Sequence, residues 1–244
     1  MTPVYDEFAE DFHHKRKRPW RAFTEFLTLL SEKGYRFSGT LIDLGCANGR
    51  HVFTLKNNSN RIIGIDNSID LLRIARESFK DKEFSSKKNA KNIVLLLADM
   101  RCLPIRENSI DHLFSIASVH HIRGSNARKK VLDFIHTLMK SDGYLIMSVW
   151  RRWQRKFRSY FLKDKLKRIF MPGFQKKEGK RGLPESGDKY ISWTVSKRNE
   201  TYNRYYHFFT RKEVKDLLHI FKIEILKAMG GPGKKDNFFL LAQK

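Results

Sequence analysis

Asp43, Gly45 and Gly49 stand in the stretch Leu41-Ile42-Asp43-Leu44-Gly45-Cys46-Ala47-Asn48-Gly49, where an apolar run ends in an acid and then in a glycine turn. That order suits a buried parallel strand that turns sharply into a helix while its backbone lies against a nucleotide-like ligand. The spacing is Asp-x-Gly-x-x-x-Gly and not Gly-x-Gly-x-x-Gly, and no second glycine-rich turn offers itself to a pyrophosphate. The ligand therefore carries no phosphates. Asp43 can hold an ammonium group, and Gly45 lets the backbone approach without a Cβ in the way. S-adenosylmethionine, which carries an ammonium and a sulfonium, meets both demands. Cys46, Asn48 and Gly49 of the same turn are assigned to its site.

A second apolar run, residues 61–68, ends in Asp66-Asn67-Ser68 about twenty residues after the loop, the usual distance for an acid that binds a ribose diol. A third run, 93–98, ends in Asp99-Met100, where a carboxylate can accept from an adenine amino group. A fourth, 110–119, brings Ala117 and Val119 to the same edge, followed by His120-His121, and that edge is where open α/β sheets bind ligands. A glycine turn serving only tight packing is the plainer alternative. It leaves unexplained three acids gathered at one sheet edge, since clustered carboxylates are costly unless a ligand or water supplies donors.

The elements that must hold these residues follow from periodicity. Helical spacing covers residues 4–12, and a cationic run from His13 to Arg18 ends in Pro19-Trp20 before a helix at 21–33. An amphipathic helix spans 69–79, a polar, lysine-bearing loop 81–92, a helix 127–140 that ends at Asp142-Gly143, and a fifth strand 144–150. From 151 to 181 the chain is dense in arginine and lysine, with Asp164 and Glu178 its only acids; 157–170 has helical spacing, while 175–187 is polar enough to be mobile when free. Pattern returns at 190–193 and 202–209. Thr210 then caps a helix at 211–221 with Glu213 as its capping-box partner, and strands at 223–226 and 238–242 form a terminal hairpin across Gly230-Gly231-Pro232-Gly233. The expected fold is α/β: a Rossmann-like doubly wound sheet, mostly parallel with an antiparallel terminal hairpin, in one domain over 1–244 with a basic insertion at 151–189.

Lysine and arginine number 49 against 26 acids, a net charge of +23 that points to a polyanionic partner, and 13% aromatic residues beside that charge favour RNA. Two cysteines, Cys46 and Cys102, can build neither a disulfide framework nor a zinc site, so a reducing compartment and a metal-free chain are expected. No signal peptide or membrane span is apparent. The expectation is a soluble protein of the cytoplasm or nucleus with no membrane partner.

Several motifs together resemble the class I methyltransferases, and more narrowly the eukaryotic and archaeal tRNA methyltransferases that esterify 5-carboxymethyluridine at the wobble position. These are Val4-Tyr5 with Phe12 and the Arg16-x-Arg18-Pro19-Trp20 turn, the loop Asp43 to Gly49, Val119-His120-His121, Arg204-Tyr205-Tyr206-His207 and Asp236-Asn237-Phe238-Phe239. The loop is common to many methyltransferases; the Pro-Trp turn, the paired histidines and Arg-Tyr-Tyr-His are the specific part. The chain departs from that family at Arg21, where a second proline is usual, at Ile122, where a tryptophan is usual, and in the closing phenylalanines. The resemblance implies S-adenosylmethionine as cofactor, tRNA as substrate, and Arg16, Trp20, His120, Arg204 and His207 on the substrate side. It also implies a heterodimer with a small zinc-containing activator protein that adds a strand to the apolar edge strand 93–97. A carboxylate nucleophile is already ionised at neutral pH, so positioning does the work and no general base is needed. No Asn-Pro-Pro-Tyr follows the fourth strand, which argues against amide or adenine nitrogen methylation, and neither cysteine is placed for pyrimidine carbon methylation. Competing readings are a class I methyltransferase of a small metabolite and a noncatalytic RNA-binding module.

Overall fold

Strand β1 (Thr40–Leu44) is apolar on both faces and pairs in parallel on both sides, with β2 (Arg61–Asp66) and with β4 (Ile110–Ile116). In this computed structural model, which describes residues 4–55, 61–80 and 92–244, β3 (Ile93–Leu97) extends the sheet beyond β2 and β5 (Met139–Trp150) extends it beyond β4. A separate antiparallel pair, β6 (Asp188–Thr194) and β7 (Thr201–His207), stands apart from the main sheet. The terminal strands β8 (Lys222–Met229) and β9 (Asn237–Gln243) close the main sheet antiparallel to β5, in the order β3-β2-β1-β4-β5-β9-β8. The order reverses between β1 and β4, so a crevice opens at the carboxyl ends of these two strands.

Alternation along the central strands feeds two cores. On one face Phe23, Phe26 and Leu30 of α2 (Arg21–Glu32), which follows α1 (Ala9–Lys15), pack with Leu41, Phe114, Ile146 and Phe239. On the other face Ile42, Leu113, Leu145 and Leu240 pack with α5 (Ser125–Leu138) and α8 (Arg211–Leu217). Between them in the chain lie α3 (Val52–Leu55), α4 (Ile69–Lys80), α6 (Arg158–Phe170) and α7 (Phe174–Lys180). Each fully buried Leu, Ile or Phe contributes about 1.5–3 kcal/mol, so the edge that carries the acids rests on a rigid base.

Several local expectations change. The helix expected over 127–140 ends at Leu138, and Asp142-Gly143 lies inside β5, because a register shift between Ile110 and His112 lets β5 begin at Met139. A Cβ on Gly143 would come within 2.7 Å of the Asp111 carbonyl, so this glycine serves close strand packing and not a helix end. The fourth strand stops at Ile116, since Ala117 turns to φ 58° and Val119–His121 forms a 3-10 turn. Residues 175–187 are not left without structure: α7 occupies the first part, held by buried Glu178, which pairs with Arg181. The amino-terminal helical spacing resolves into a 3-10 turn, Asp6–Phe8, and α1, which takes in His13, His14 and Lys15. The capping box at Thr210 and Glu213 is present, although α8 ends at Leu217. The lysine-bearing loop at 81–92 lies, apart from Asn92, outside the described residues. Among the described residues no helix is long and apolar enough to cross a membrane.

Candidate active site

A cleft of about 1850 Å³ opens at the carboxyl edge of the sheet, walled by the loop after β1, the ends of β2 to β5, the amino-terminal segment and the β6–β7 pair. In the loop, Gly45 takes φ 79°, and the Gly45 and Cys46 amides donate to the Ile65 carbonyl at 2.7 and 2.9 Å. A Cβ on Gly45 would strike the Ser118 side chain. The glycine is thus required by the neighbouring turn whether or not a ligand is bound. Asp66 accepts from the Ala47 amide at 2.8 Å and the Ser68 amide at 2.9 Å, which fixes the carboxylate at the end of β2. Burial raises its pKa against those two hydrogen bonds. Asp43 is buried with no partner on either oxygen, and burial, with the Asp66 charge beside it, raises its pKa to about 7. The Arg50 charge opposes that rise, and Asp43 itself does not line the cleft, although its chain neighbours Leu44 and Gly45 do; both of its oxygens still lack a hydrogen-bond donor, which a ligand ammonium group can supply.

The other residues assigned to the cofactor divide into two groups. Cys46, Asn67, Met100 and Ala117 line the cleft, as does Asp99, whose carboxylate is bound in a fork by Arg101 and so held below the usual range. Asn48, Gly49, Ser68 and Val119 do not line it. Asn48 donates to His13 Nδ1 and to the Arg16 carbonyl, both at 3.1 Å, and so ties the loop to the amino-terminal segment. Gly49 admits Phe79, which a Cβ would meet at 2.5 Å; the Ser68 hydroxyl donates to Asp6; Val119 belongs to the core. These four build the wall.

On the opposite side, Arg204 of β7 is 7% exposed, its Nη1 donates to the Tyr206 hydroxyl at 2.8 Å, and its Nε has no partner. Its guanidinium carbon sits 4.8 Å from the Trp193 ring centroid, 5.2 Å from that of Tyr206 and 6.0 Å from that of Tyr5. Among the described residues no carboxylate pairs with it. His120 is fully buried with neither ring nitrogen partnered, and it stacks on Tyr206 at 4.8 Å. Burial, helped by His121 and Arg204, drives its pKa well down, so the ring is neutral. Arg16 is exposed at the rim, and Trp20 lines the cleft against Phe239.

His207 does not reach the cleft. Its Nδ1 donates to Asp188 at 2.8 Å, the Tyr205 hydroxyl donates to the same oxygen at 2.6 Å, and Glu185 beside them pairs with Arg128. Burial pushes the Asp188 carboxyl up, yet the His207 and Tyr205 hydrogen bonds outweigh it and hold it below its ordinary value. The Glu185, Asp188 and His207 ligand atoms lie within 4.8 Å of one another, a spacing open to a metal, but Arg128 and Tyr205 already occupy the carboxylates. His207 therefore braces the strand that carries Arg204. Trp150, Trp193, Tyr5 and His121 also line the cleft; the sequence placed Tyr5 and His121 in motifs but gave none of the four a site role. Trp150 was signalled only by its place as the last residue of the fifth apolar run.

Residues 42–147, from β1 into β5, match the family described as "Methyltransferase domain". The chain carries a class I S-adenosylmethionine-dependent methyltransferase domain. A crystal structure of a methyltransferase of this kind from Methanosarcina mazei shares the fold, with a TM-score of 0.68 at 19% identity, over 88% of this chain and 96% of that one. Among curated proteins, a tRNA (carboxymethyluridine(34)-5-O)-methyltransferase of Schizosaccharomyces pombe is 25% identical over 242 residues, 99% of this chain and 94% of that protein. The mouse tRNA (carboxymethyluridine(34)-5-O)-methyltransferase ALKBH8 is 31% identical over 148 residues, 60% of this chain but 19% of the mouse protein. The methyltransferase domain is thus related to tRNA carboxymethyluridine methyltransferases.

The residues present fit the cofactor. Unpartnered Asp43 suits its ammonium group, Asp66 suits a ribose diol, and the cofactor supplies an electrophilic methyl group when bound. The chain's own residues must then hold a nucleophile against that group and keep water away.

Proposed function

We propose that the enzyme methylates tRNA, esterifying the carboxylate of 5-carboxymethyluridine at the anticodon wobble position. The observation that carries this reading is Arg204, a buried guanidinium on the substrate wall with no acidic partner among the described residues and an unused Nε. An unpaired buried cation is costly, and a substrate carboxylate offsets that cost while being fixed in a planar fork. Neutral His120 need not act as a base, because the nucleophile is ionised before it binds. The half-buried Trp20 ring lining the cleft suits a splayed pyrimidine, while Trp193 and Tyr206, whose rings already meet Phe8, Arg204 and His120, shape the pocket. The names of the fission yeast and mouse relatives agree with this assignment.

Cations at the cleft rim support an RNA substrate: Lys15, Arg16, Lys17, Arg18, Arg155 and Lys156 are all exposed and line the opening. Arg152, of the same basic segment, is buried and paired with Glu213, so it holds the fold and not a phosphate. Binding of tRNA is expected to weaken steeply with salt, and replacing Arg16, Arg18, Arg155 and Lys156 by alanine should flatten the log-log slope by about one unit per lost phosphate contact. Filter binding across a salt series checks this. An unchanged slope would remove RNA from the rim and favour a small-metabolite substrate.

The same reading includes an activator. Among the described residues strand β3 pairs only with β2, and it exposes Val94 and Leu97 at 39% and 52%. An unpaired apolar edge invites strand addition, and we place the small zinc-containing activator protein there. Leu95 packs beside Gly64, so a charge there would also disturb the sheet. Leu97→Lys is the cleaner probe: it should abolish co-elution with the activator on size exclusion while leaving the melting temperature within a few degrees of wild type. Retained co-elution would move the partner elsewhere.

A further inference from the structure

His121 stands between two unlike neighbours. Its Nδ1 lies 2.9 Å from the Tyr205 carbonyl, which can only accept, so Nδ1 carries the proton. Burial keeps the ring neutral, with a pKa lowered to about 4, and Nε2 is therefore a bare acceptor. The Tyr5 hydroxyl, 3.0 Å from Nε2, must donate to it. The rings meet edge to face at 5.5 Å. With its hydrogen committed to His121, the Tyr5 oxygen is left with lone pairs only, and both Arg204 and Tyr206 interact with it.

Other anchors hold the amino-terminal segment elsewhere. Asp6 receives the Ser68 hydroxyl and the Asp70 amide, Asp11 receives Trp193 Nε1 at 2.8 Å and the Ser196 amide at 3.0 Å, and Asn48 holds His13 and Arg16. The Tyr5–His121 bond ties that segment to the turn after β4, at the floor of the cleft. One end of this link is the strand residue next to Arg204, and the other is a ring facing Arg204.

We propose that His121 is a positioning residue acting through Tyr5: by fixing the Tyr5 hydroxyl it makes the amino-terminal segment one wall of the anion pocket around Arg204. The proposal rests on the function proposed above for that pocket. Tyr5→Phe keeps the ring and removes the hydroxyl. It should raise KM for tRNA about tenfold, the size of one hydrogen bond in a charged site, with kcat within about twofold of wild type and cofactor affinity unchanged. His121→Asn can keep the donor to Tyr205 but loses the acceptor, and should reproduce the effect of Tyr5→Phe. Because both changes break one link, the double variant should be no worse than either single variant. His121→Gln, whose amide oxygen can stand in for Nε2, should restore most of the wild-type KM.

The kinetics are measured on the full chain with its activator present, alongside 15N spectra of the histidine side chains. An Nδ1–H tautomer for His121, with an Nε2 resonance that moves in Tyr5→Phe, is the expected result. An unchanged KM in Tyr5→Phe, or additive effects in the double variant, overturns the proposal. Should the wild type transfer no methyl group to tRNA, the proposed function falls by itself. The spectra then still decide the link: an Nε2–H tautomer, or a resonance indifferent to Tyr5→Phe, overturns it.

Discussion

Arg204→Ala is expected to lower kcat/KM for tRNA about a thousandfold, the scale of losing a preorganised charge at the reacting group, while the dissociation constant for S-adenosylmethionine stays near wild type. Arg204 and the cofactor acids stand on different elements. Arg204 belongs to β7 and is caged by Trp193, Tyr206 and Tyr5, whereas the acids assigned to the cofactor lie near the carboxyl ends of β1, β2 and β3. Arg204→Lys should recover little, because an ammonium group lacks the planar fork that matches a carboxylate. Steady-state kinetics with calorimetry of cofactor binding check both halves. His207→Ala makes the contrast: it strips the buried Asp188 carboxylate of a donor, so its main cost should be stability, about 3 kcal/mol by analogy with broken buried pairs. Normal turnover by Arg204→Ala would reduce the Arg-Tyr-Tyr-His stretch to packing.

Asp43→Asn should have an effect of opposite sign on binding and on stability. The folded carboxyl has its pKa raised to about 7 by burial and by Asp66, well above the ordinary carboxylate value. Between the two values the native state holds a proton that the unfolded chain has released, so this group's contribution to stability falls as pH rises through that window and is at its least above pH 7. Asparagine removes the buried charge, and the variant should therefore melt higher than wild type at pH 8, with the difference fading toward acid. Cofactor binding should move the other way. On the assignment of Asp43 to the cofactor's ammonium group, the ionised form is the one that binds, so wild-type affinity should rise as pH climbs through about 7, and Asp43→Asn should lose about a hundredfold in affinity along with that pH dependence. Calorimetry and thermal melts from pH 5 to about 8.5 test the pair of signs together, and a variant that binds as tightly as wild type would show that Asp43 is a packing residue.

Much of the sheet edge that carries the acids was legible because it follows from short-range pattern. Apolar runs ending in Asp43, Asp66 and Asp99 became β1, the end of β2 and the turn after β3, and the apolar strand 93–97 became an edge. What stayed hidden depended on contacts far apart in the chain. The motif Arg204-Tyr205-Tyr206-His207 lies on a strand, where successive side chains alternate in face, so Arg204 and Tyr206 turn to the cleft while Tyr205 and His207 turn to Asp188. Read as a unit, the motif overstated His207. Arg152 looks like its basic neighbours until the fold brings Glu213 to it, and Gly49 looks like a ligand glycine until Phe79 of α4 fills the space above it. Tyr5 and His121, 116 positions apart, could be paired only in the folded chain.

A methyl ester on a tRNA carboxylate is the product expected of this enzyme. The purified chain, alone and together with the activator proposed above, is incubated with methyl-labelled S-adenosylmethionine and tRNA from cells lacking the enzyme, and the nucleosides are separated by mass after digestion. Label is expected in one nucleoside, heavier than 5-carboxymethyluridine by a single methyl group and released by mild alkali, as an ester must be. Label in an alkali-stable nucleoside, or in small molecules of a cell extract but not in tRNA, would contradict that expectation.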